Sequence, residues 1–286
     1  MINVYFVEKF SEGDKDMQLD AMRKYMRFTS LGEADVILCG SIVQMHKAIG
    51  ARGATGKPLA VYCWDYYKWA HDGVRTGANA WEWTQYAEFL RSADLVMVPS
   101  MAQKLRLQEL LGQESTVIWT GIKDLSKIYP DIEPTDGGFI LDPLRYYPEE
   151  NAKWAELAAE KLGIPIIHSE HRYTDREFAE LIASCTFMTC AVREASTGSL
   201  TISEGLYFGK RSLISNSPYL GAKDYVGKYA VEFQYDDFDD LCAKMESMWK
   251  ERKTVPRAEA QAYCDLAFSF DAMGKRIYES LHRLVA

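Results

Sequence analysis

Between Arg193 and Gly227 the chain reads REASTGSLTISEGLYFGKRSLISNSPYLGAKDYVG. A glycine-bearing polar loop (Glu194, Ser196, Ser199) leads into an amphipathic helix expected to open near Thr201. That helix carries Glu204, breaks at Gly209-Lys210 and gives way to a short apolar strand, Ser212 to Ser215, before a second polar loop. At a helix start the backbone N–H groups, here those of Ser199, Leu200 and Thr201, lack partners within the helix, and the helix dipole favours negative charge. A carboxylate one turn further in, Glu204, can accept hydrogen bonds from ribose hydroxyls. In the C-terminal half of an α/β chain, this combination suits a nucleotide diphosphate. The competing reading of Glu204 is an ordinary solvent-facing helix residue.

Other chemistries leave little trace. The six cysteines (Cys39, Cys63, Cys185, Cys190, Cys242, Cys264) are scattered, with no C-x-x-C and no Cys/His cluster at zinc spacing. No P-loop, Ser-His-Asp pattern or strand-linked G-x-G-x-x-G occurs. No Asp-x-Asp pair stands at a strand end; Asp236-Asp237 and Asp239-Asp240 fall at the start of an expected helix. No metal site and no cofactor are expected.

Three stretches together resemble the family-4-type retaining glycosyltransferases of the GT-B fold. That family commonly reads E-G-F-G-L-P-x-x-E-A-M-A-x-G-K-P-V-I-x-S, and here Glu204-Gly205-Leu206-Tyr207-Phe208-Gly209-Lys210 takes the E-A-M-A-x-G-K place. Ser92-Ala93-Asp94-Leu95-Val96-Met97-Val98-Pro99-Ser100 is similar to its A-D-x-V-I-V-P-S. Val117-Ile118-Trp119-Thr120-Gly121-Ile122-Lys123-Asp124 is similar to its V-I-x-N-G-I-D, with Thr120 for Asn and Lys123 for Asp. The likeness runs from about Ser92 to the end. The resemblance implies a ribose-binding role for Glu204. It implies a second glutamate near the transferred sugar, whose place holds Ser196 by strict counting or Glu194 if the loop is longer by two residues.

The resemblance also assigns Arg145 to the family's G-R-x-x-P-E-K-N turn, where an arginine contacts the donor phosphates. A planar, bidentate guanidinium there would stabilise charge growing on the leaving diphosphate. The family's partner lysine is missing, its places holding Glu150 and Asn151; Lys153 is the nearest. His168, His171, Arg172 and Tyr173 stand where the family lines its nucleotide pocket. In the first half Trp64 occupies the family's His place, leaving Asp65 or His71 for a polar role. Trp64, Tyr66, Tyr67, Trp69, Trp81, Trp83 and Tyr86 form an aromatic stretch. It is either a stacking platform for an acceptor, with Trp64, Tyr67 and Trp69 foremost, or core under a helix.

Strands alternating with helix-length segments must hold these groups. Strands are expected at Ile2–Val7, Ala34–Cys39, Leu59–Cys63, Leu95–Val98 and Thr116–Thr120, and helices at Asp16–Phe28, Ala80–Ser92 and Ala102–Leu111. The GARGATGKP segment reads as a loop. The second half has strands at Phe139–Leu141, Ile164–Ile167, Thr186–Cys190 and Ser212–Ser215. Its helices are Ala152–Leu162 and one capped at Thr174, where Glu177 completes a capping box. The fold class is α/β, GT-B: two Rossmann-like, doubly wound domains facing a cleft. The expected divisions are an acceptor-side domain over residues 1–130, a Pro/Gly/Asp-rich linker at Pro130–Gly138, a nucleotide-sugar-binding domain over 139–267, and a last helix, 268–286, returning to the first domain.

Composition agrees with a soluble globular chain: 286 residues, 48% apolar, 26% charged. No run of about 18 apolar residues predicts a membrane span. The N-terminus lacks signal-peptide features, and unclustered thiols suit a reducing compartment, so a cytoplasmic location is expected. Net charge is −8, and residues 1–130 hold 15 basic and 15 acidic residues, so the excess lies in the second half.

The resemblance therefore implies metal-independent transfer of a hexosyl group, with retention, from a nucleotide-diphosphate sugar to a hydroxyl acceptor. UDP is favoured on family grounds alone. The acceptor is open: a saccharide, a lipid-linked sugar, or a hydroxymethylated DNA base as in viral DNA glycosyltransferases, against which the acidic balance counts. A catalytically inactive nucleotide-sugar binder and a GT-B sugar epimerase are alternative readings.

Overall fold

The computed structural model describes residues 1–7, 15–40, 44–63, 80–143, 153–169, 173–193 and 200–286, with side chains from 16 and from 84 in the second and fourth of these stretches. The chain divides into two compact units, one formed by Met1–Gly121 with Phe268–Ala286 and the other by Ile122–Ala267.

In the first unit the elements run β1 (Asn3–Val7), α1 (Lys15–Arg23), β2 (Arg27–Phe28), β3 (Val36–Cys39), α2 (Met45–Thr55), β4 (Leu59–Tyr62), α3 (Ala80–Ser92), β5 (Leu95–Val98), α4 (Met101–Leu111) and β6 (Thr116–Val117). They make one parallel sheet in the order β2-β1-β3-β4-β5-β6. Every residue of β3 and β4 is buried, because helices cover both faces. Val7, Ile37, Leu59 and Val61 pack with Phe89, Leu90 and Leu107 on one side. Val4, Val36, Leu38 and Ala60 pack with Met22, Met26, Met273 and Ile277 on the other.

The second unit continues with α5 (Leu125–Ile128), β7 (Ile140–Asp142), α6 (Trp154–Leu162), β8 (Ile166–His168), α7 (Asp175–Ser184), β9 (Phe187–Cys190), α8 (Leu200–Tyr207), β10 (Ser212–Ser215), α9 (Ala222–Val226), β11 (Ala230–Phe233), α10 (Phe238–Glu251) and α11 (Arg257–Phe268). Its parallel sheet has the order β11-β10-β9-β7-β8. Ile140, Phe187, Leu213 and Phe233 pack against Ala155, Ala158 and Ala159 of α6 and Leu241 and Met245 of α10. The last helix, α12 (Phe270–Val285), begins at a Ser269 cap and packs on α1 in the first unit.

Some elements depart from expectation. The helix expected over Asp16–Phe28 stops at Arg23, because Arg27 and Phe28 pair with Asn3 and Val4 as an edge strand. Met17, expected on its apolar side, is exposed. The GARGATGKP segment is mostly helical: α2 runs through it to Thr55, burying Ala48 and Ala51. Burial of that alanine face outweighs the roughly 1 kcal/mol that each helical glycine costs. The strand expected at Thr116–Thr120 ends at Val117. Just before the expected linker, Leu125–Ile128 form α5, capped by Asp124. No described helix is long and apolar enough to cross a membrane.

Candidate functional site

Strand order in the second sheet reverses between β7 and β9: the chain steps outward from β7 to β8, then returns to the other side of β7. In open parallel sheets the crevice at such a reversal, beyond the strands' carboxyl ends, is where ligands bind. Two expected functional segments leave those two strands. The one carrying Arg145 follows β7, and the one carrying Glu194, Ser196 and Ser199 follows β9. Arg145, Glu194, Ser196, Ser199 and His171 themselves lie outside the described residues, as do Asp65, Trp64, Tyr67, Trp69 and His71 of the first unit.

The anchors of the segment after β9 are described in full. Ser215 Oγ at the end of β10 donates to the Val192 carbonyl, 2.8 Å away, holding the chain just before residue 194. Beyond the segment, α8 opens at Leu200 and buries Ile202, Ser203, Gly205, Leu206 and Tyr207, leaving Leu200, Thr201 and Glu204 half-buried. The helix lies so close to β9 that a Cβ at position 205 would stand 2.2 Å from Met188 Sδ. The glycine at the family's Ala place therefore sets the depth of α8 on the sheet. Burial pushes the Tyr207 phenol far above its ordinary value, with the charges of Cys264, Asp124, Asp265 and Glu204 adding to the shift.

Lys210, the lysine of the G-K motif, is 1% exposed. Its Nζ donates to the Thr135 carbonyl at 2.6 Å. Desolvation lowers its pKa, while Cys185 and Asp136 act in the opposite direction. This lysine braces the turn after α8 against the segment leading into β7 and is not a ligand group.

A second cluster sits at the ends of β7 and β8, and the sequence reading largely missed it. Asp142 and His168 are paired across the two strands, and the Ser169 N–H donates to the Asp142 carbonyl at 3.2 Å. His168, expected just after a strand, is the last residue of β8. Its Nδ1 lies 3.4 Å from Oδ2 of buried Asp142, and its Nε2 lies 3.9 Å from Glu156 Oε1 in the first turn of α6. The capping box at Thr174 is present as expected, with Glu177 accepting from the Thr174 N–H at 2.8 Å. Tyr173 is exposed and stacks on Phe178, ring centroids 6.5 Å apart. Lys153 is exposed at the head of α6.

In the first unit, the described ends of the aromatic stretch are core: Tyr62 is 1% and Tyr86 2% exposed. The Tyr62 hydroxyl donates to the Ile118 carbonyl at 2.8 Å and lies 3.0 Å from Thr120 Oγ1. Gln103 Nε2 donates to the Cys63 carbonyl at 3.0 Å, and Cys63 Sγ lies 2.6 Å from the Tyr86 hydroxyl. All six cysteines are buried free thiols. Among the described residues no group of three or more His, Cys, Asp or Glu is placed to hold a metal ion.

The sequence matches no protein-family model and no curated protein. Among solved structures the chain is similar to HepE of Anabaena in complex with UDP-glucose, with a TM-score of 0.68 and 13% identity over 99% of this chain and 100% of that one. It is similar to the apo form of the lipopolysaccharide outer core galactosyltransferase WaaB, with a TM-score of 0.64 and 11% identity over 99% and 100%. It is also similar to sucrose-phosphate synthase of Thermosynechococcus elongatus, with a TM-score of 0.62 and 9% identity over 97% and 82%. At these identities the likeness shows the fold, and that fold is GT-B: two parallel α/β sheets with alternating helices.

Proposed function

We propose that this GT-B chain is a glycosyltransferase that moves a hexosyl group from a UDP-sugar to a hydroxyl acceptor, with retention of configuration and without an essential metal. One observation carries the reading: the β9–α8–β10 unit, with Glu204 on α8, stands beside the strand-order reversal of the second sheet. The similarity to HepE in its complex with UDP-glucose supports the choice of donor.

In this reading Glu204 accepts hydrogen bonds from the ribose hydroxyls. The N–H groups of Ser199, Leu200 and Thr201 face the diphosphate, which the dipole of α8 favours. Arg145, aided by Lys153, stabilises the charge that grows on the diphosphate as its bond to the sugar breaks. Glu194 or Ser196 meets the transferred sugar, and His171 and Tyr173 line the nucleotide. The acceptor oxygen bonds the anomeric carbon on the face the diphosphate leaves, and the hydroxyl proton departs with the diphosphate. On the acceptor side the reading assigns Trp64, Tyr67 and Trp69 as stacking surfaces and Asp65 as the polar partner.

The test is calorimetry with UDP and GDP, followed by incubation with several UDP-sugars. The acceptor panel holds saccharides, lipid-linked sugars and hydroxymethylated DNA, and products are read by mass spectrometry. UDP binding and a mass increase of one hexose on an acceptor, undiminished by EDTA, are expected. Failure to bind UDP would sink the proposal, and UDP binding with no turnover of any sugar nucleotide would leave a nucleotide-sugar binder.

A further inference from the structure

Helix α8, which carries Glu204, spans eight residues, Leu200–Tyr207. Two turns of helix are marginal alone, so the place of Glu204 depends on what holds the helix. Gly205 sets its depth against β9. Its carboxyl end is held by a second set of contacts, all within the second unit. The chain leaves α8 through a turn at Gly209, φ 72°, whose carbonyl accepts from the Val255 N–H at 2.9 Å. The last carbonyls of a helix lack donors within it. For Tyr207 the donor is a side chain of α11: Gln261 Nε2 lies 3.5 Å from the Tyr207 carbonyl. The same nitrogen, which carries two hydrogens, donates to Ser126 Oγ on α5 at 2.8 Å.

Gln261 is the middle of a stripe. Arg257, Gln261 and Asp265 are spaced four residues apart on α11 and share one face. Each of them grips α5. Arg257 Nη2 donates to the Ser126 carbonyl at 3.3 Å, Gln261 takes the Ser126 hydroxyl, and Asp265 accepts from Lys127 Nζ at 2.9 and 2.8 Å. Ser126 is buried and extends the chain of bonds, donating from Oγ at 2.5 Å to Oδ1 of Asp124, the cap of α5. Arg257 also lies over the ring of Phe208, the residue after α8, 5.8 Å from its centroid. The end of α8 and α5 are thus held to one another through α11, and Gln261 hydrogen-bonds both.

We propose that Gln261 is a positioning residue for the nucleotide site: by capping the Tyr207 carbonyl from an amide fixed on α5, it sets the axial position and rotation of α8, and so where Glu204 presents its carboxylate. Glu204 stands three residues before Tyr207, about one turn away along the helix. Hydrogen bonds weaken steeply with misalignment, so a small roll or slide of α8 costs the carboxylate its fit to a pair of hydroxyls. The effect on ligand binding rests on the glycosyltransferase reading given above, in which Glu204 takes the ribose; the clasp itself does not.

The experiment uses the full chain with Gln261→Leu, Gln261→Met, Glu204→Ala and the double variant of Gln261→Leu with Glu204→Ala. Hydrogen exchange without ligand is followed at the Phe208, Gly209 and Lys210 amides, which bond back to the Gly205 and Leu206 carbonyls. Calorimetry compares UDP with 2′,3′-dideoxy-UDP, which lacks both ribose hydroxyls. The expected result for Gln261→Leu is faster exchange at these amides, UDP affinity lower by about three- to tenfold, and affinity for the dideoxy nucleotide unchanged. A role in stability alone would not separate the two nucleotides. Gln261→Met keeps the length of the side chain and removes its donors; it must give the same pattern, and it carries the test if the leucine variant does not fold. The double variant should match Glu204→Ala, because Gln261 acts through Glu204. Unchanged exchange overturns the proposal, and so does an equal loss for both nucleotides, or additive losses in the double variant. If Glu204→Ala alone shifts the preference for UDP, the positioning role fails and the glycosyltransferase reading stands. A wild type that binds neither nucleotide removes the glycosyltransferase reading and the positioning role with it, and faster exchange then attests the clasp alone.

Discussion

The two sheets share a parallel architecture and a reversal of strand order, yet their carboxyl ends carry different chemistry. In the second unit those ends present ionisable groups: Asp142 on β7 and His168 on β8, with Glu204 on the helix that follows β9. In the first unit the described polar groups near the strand ends are neutral: the Tyr62 and Thr120 hydroxyls, the Cys63 thiol and the Gln103 amide, all buried and bonded to one another or to backbone. Among the described residues, the two sheets thus differ in the charge of a handful of residues at or just past their strands' ends.

The strongest way to break this comparison is to remove charge from the second unit. Arg145→Ala should lower turnover about 100- to 1000-fold, the range for losing one donor to developing charge, or about 2.7–4 kcal/mol. UDP affinity should fall much less. An equal loss in both would make Arg145 a binding group only.

Glu204→Ala should weaken UDP binding by about 1.5–3 kcal/mol, the range for losing a charged hydrogen bond, and leave the melting temperature nearly unchanged. The first unit gives the contrast. Thr120→Val removes one hydroxyl beside Tyr62, so it should cost about 1 kcal/mol of stability and leave UDP affinity as it was. Calorimetry and thermal melts on both variants decide whether nucleotide chemistry is confined to the second unit.

A third comparison sets two close backbone approaches side by side. A Cβ at Gly121 would come 2.2 Å from the Phe270 ring and 2.8 Å from its Cα, whereas one at Gly205 meets the flexible end of Met188. Both Gly→Ala variants should lose stability within the usual overpacking range of about 1–3 kcal/mol, with Gly121→Ala at the upper end because a backbone atom cannot move aside. Equal melting temperatures would show that Phe270 yields as easily as Met188.

The smallest effect concerns Lys210. Burial lowers its folded-state pKa below that of the unfolded chain, so between the two values the unfolded state binds more protons and stability rises with pH. Its contribution is present above the unfolded value of about 10.4 and is lost as pH falls through the folded value. Urea midpoints for wild type and Lys210→Met should therefore diverge in favour of wild type as pH rises from neutrality toward that value. Parallel curves would show that the ammonium is solvated after all.

Much of this was legible in the chain because it is local. Ala80–Ser92, Leu95–Val98 and Ser212–Ser215 form with the bounds that their periodicity indicates, and Thr174 caps its helix as its spacing with Glu177 requires. Readings failed where a distant partner decides. Arg27 and Phe28 look like the end of a helix until β1 claims them, and Gly50 and Gly53 look like a loop until Ala48 and Ala51 find a sheet to cover. The site divides in the same way. Glu204 is marked by its neighbours along the chain, whereas the approach of His168 to Asp142 and Glu156 exists only through the register of β7 with β8. Lys210 was visible as part of a motif, but its role as a buried brace depends on Thr135, far away in sequence.

The margins of the two sheets bear on how the protein behaves in a crowded solution. Among the described residues the outermost strands are β2 and β6 in one sheet and β8 and β11 in the other, none longer than four residues. Arg27 is exposed on β2, and on β11 the carboxylate of Glu232 is engaged by Lys223 at 2.9 Å. A neighbouring molecule pairing with β2 or β11 meets few amide and carbonyl groups with which to build a ladder, and meets charge beside them. Short, charged edge strands of this kind disfavour pairing of copies edge to edge.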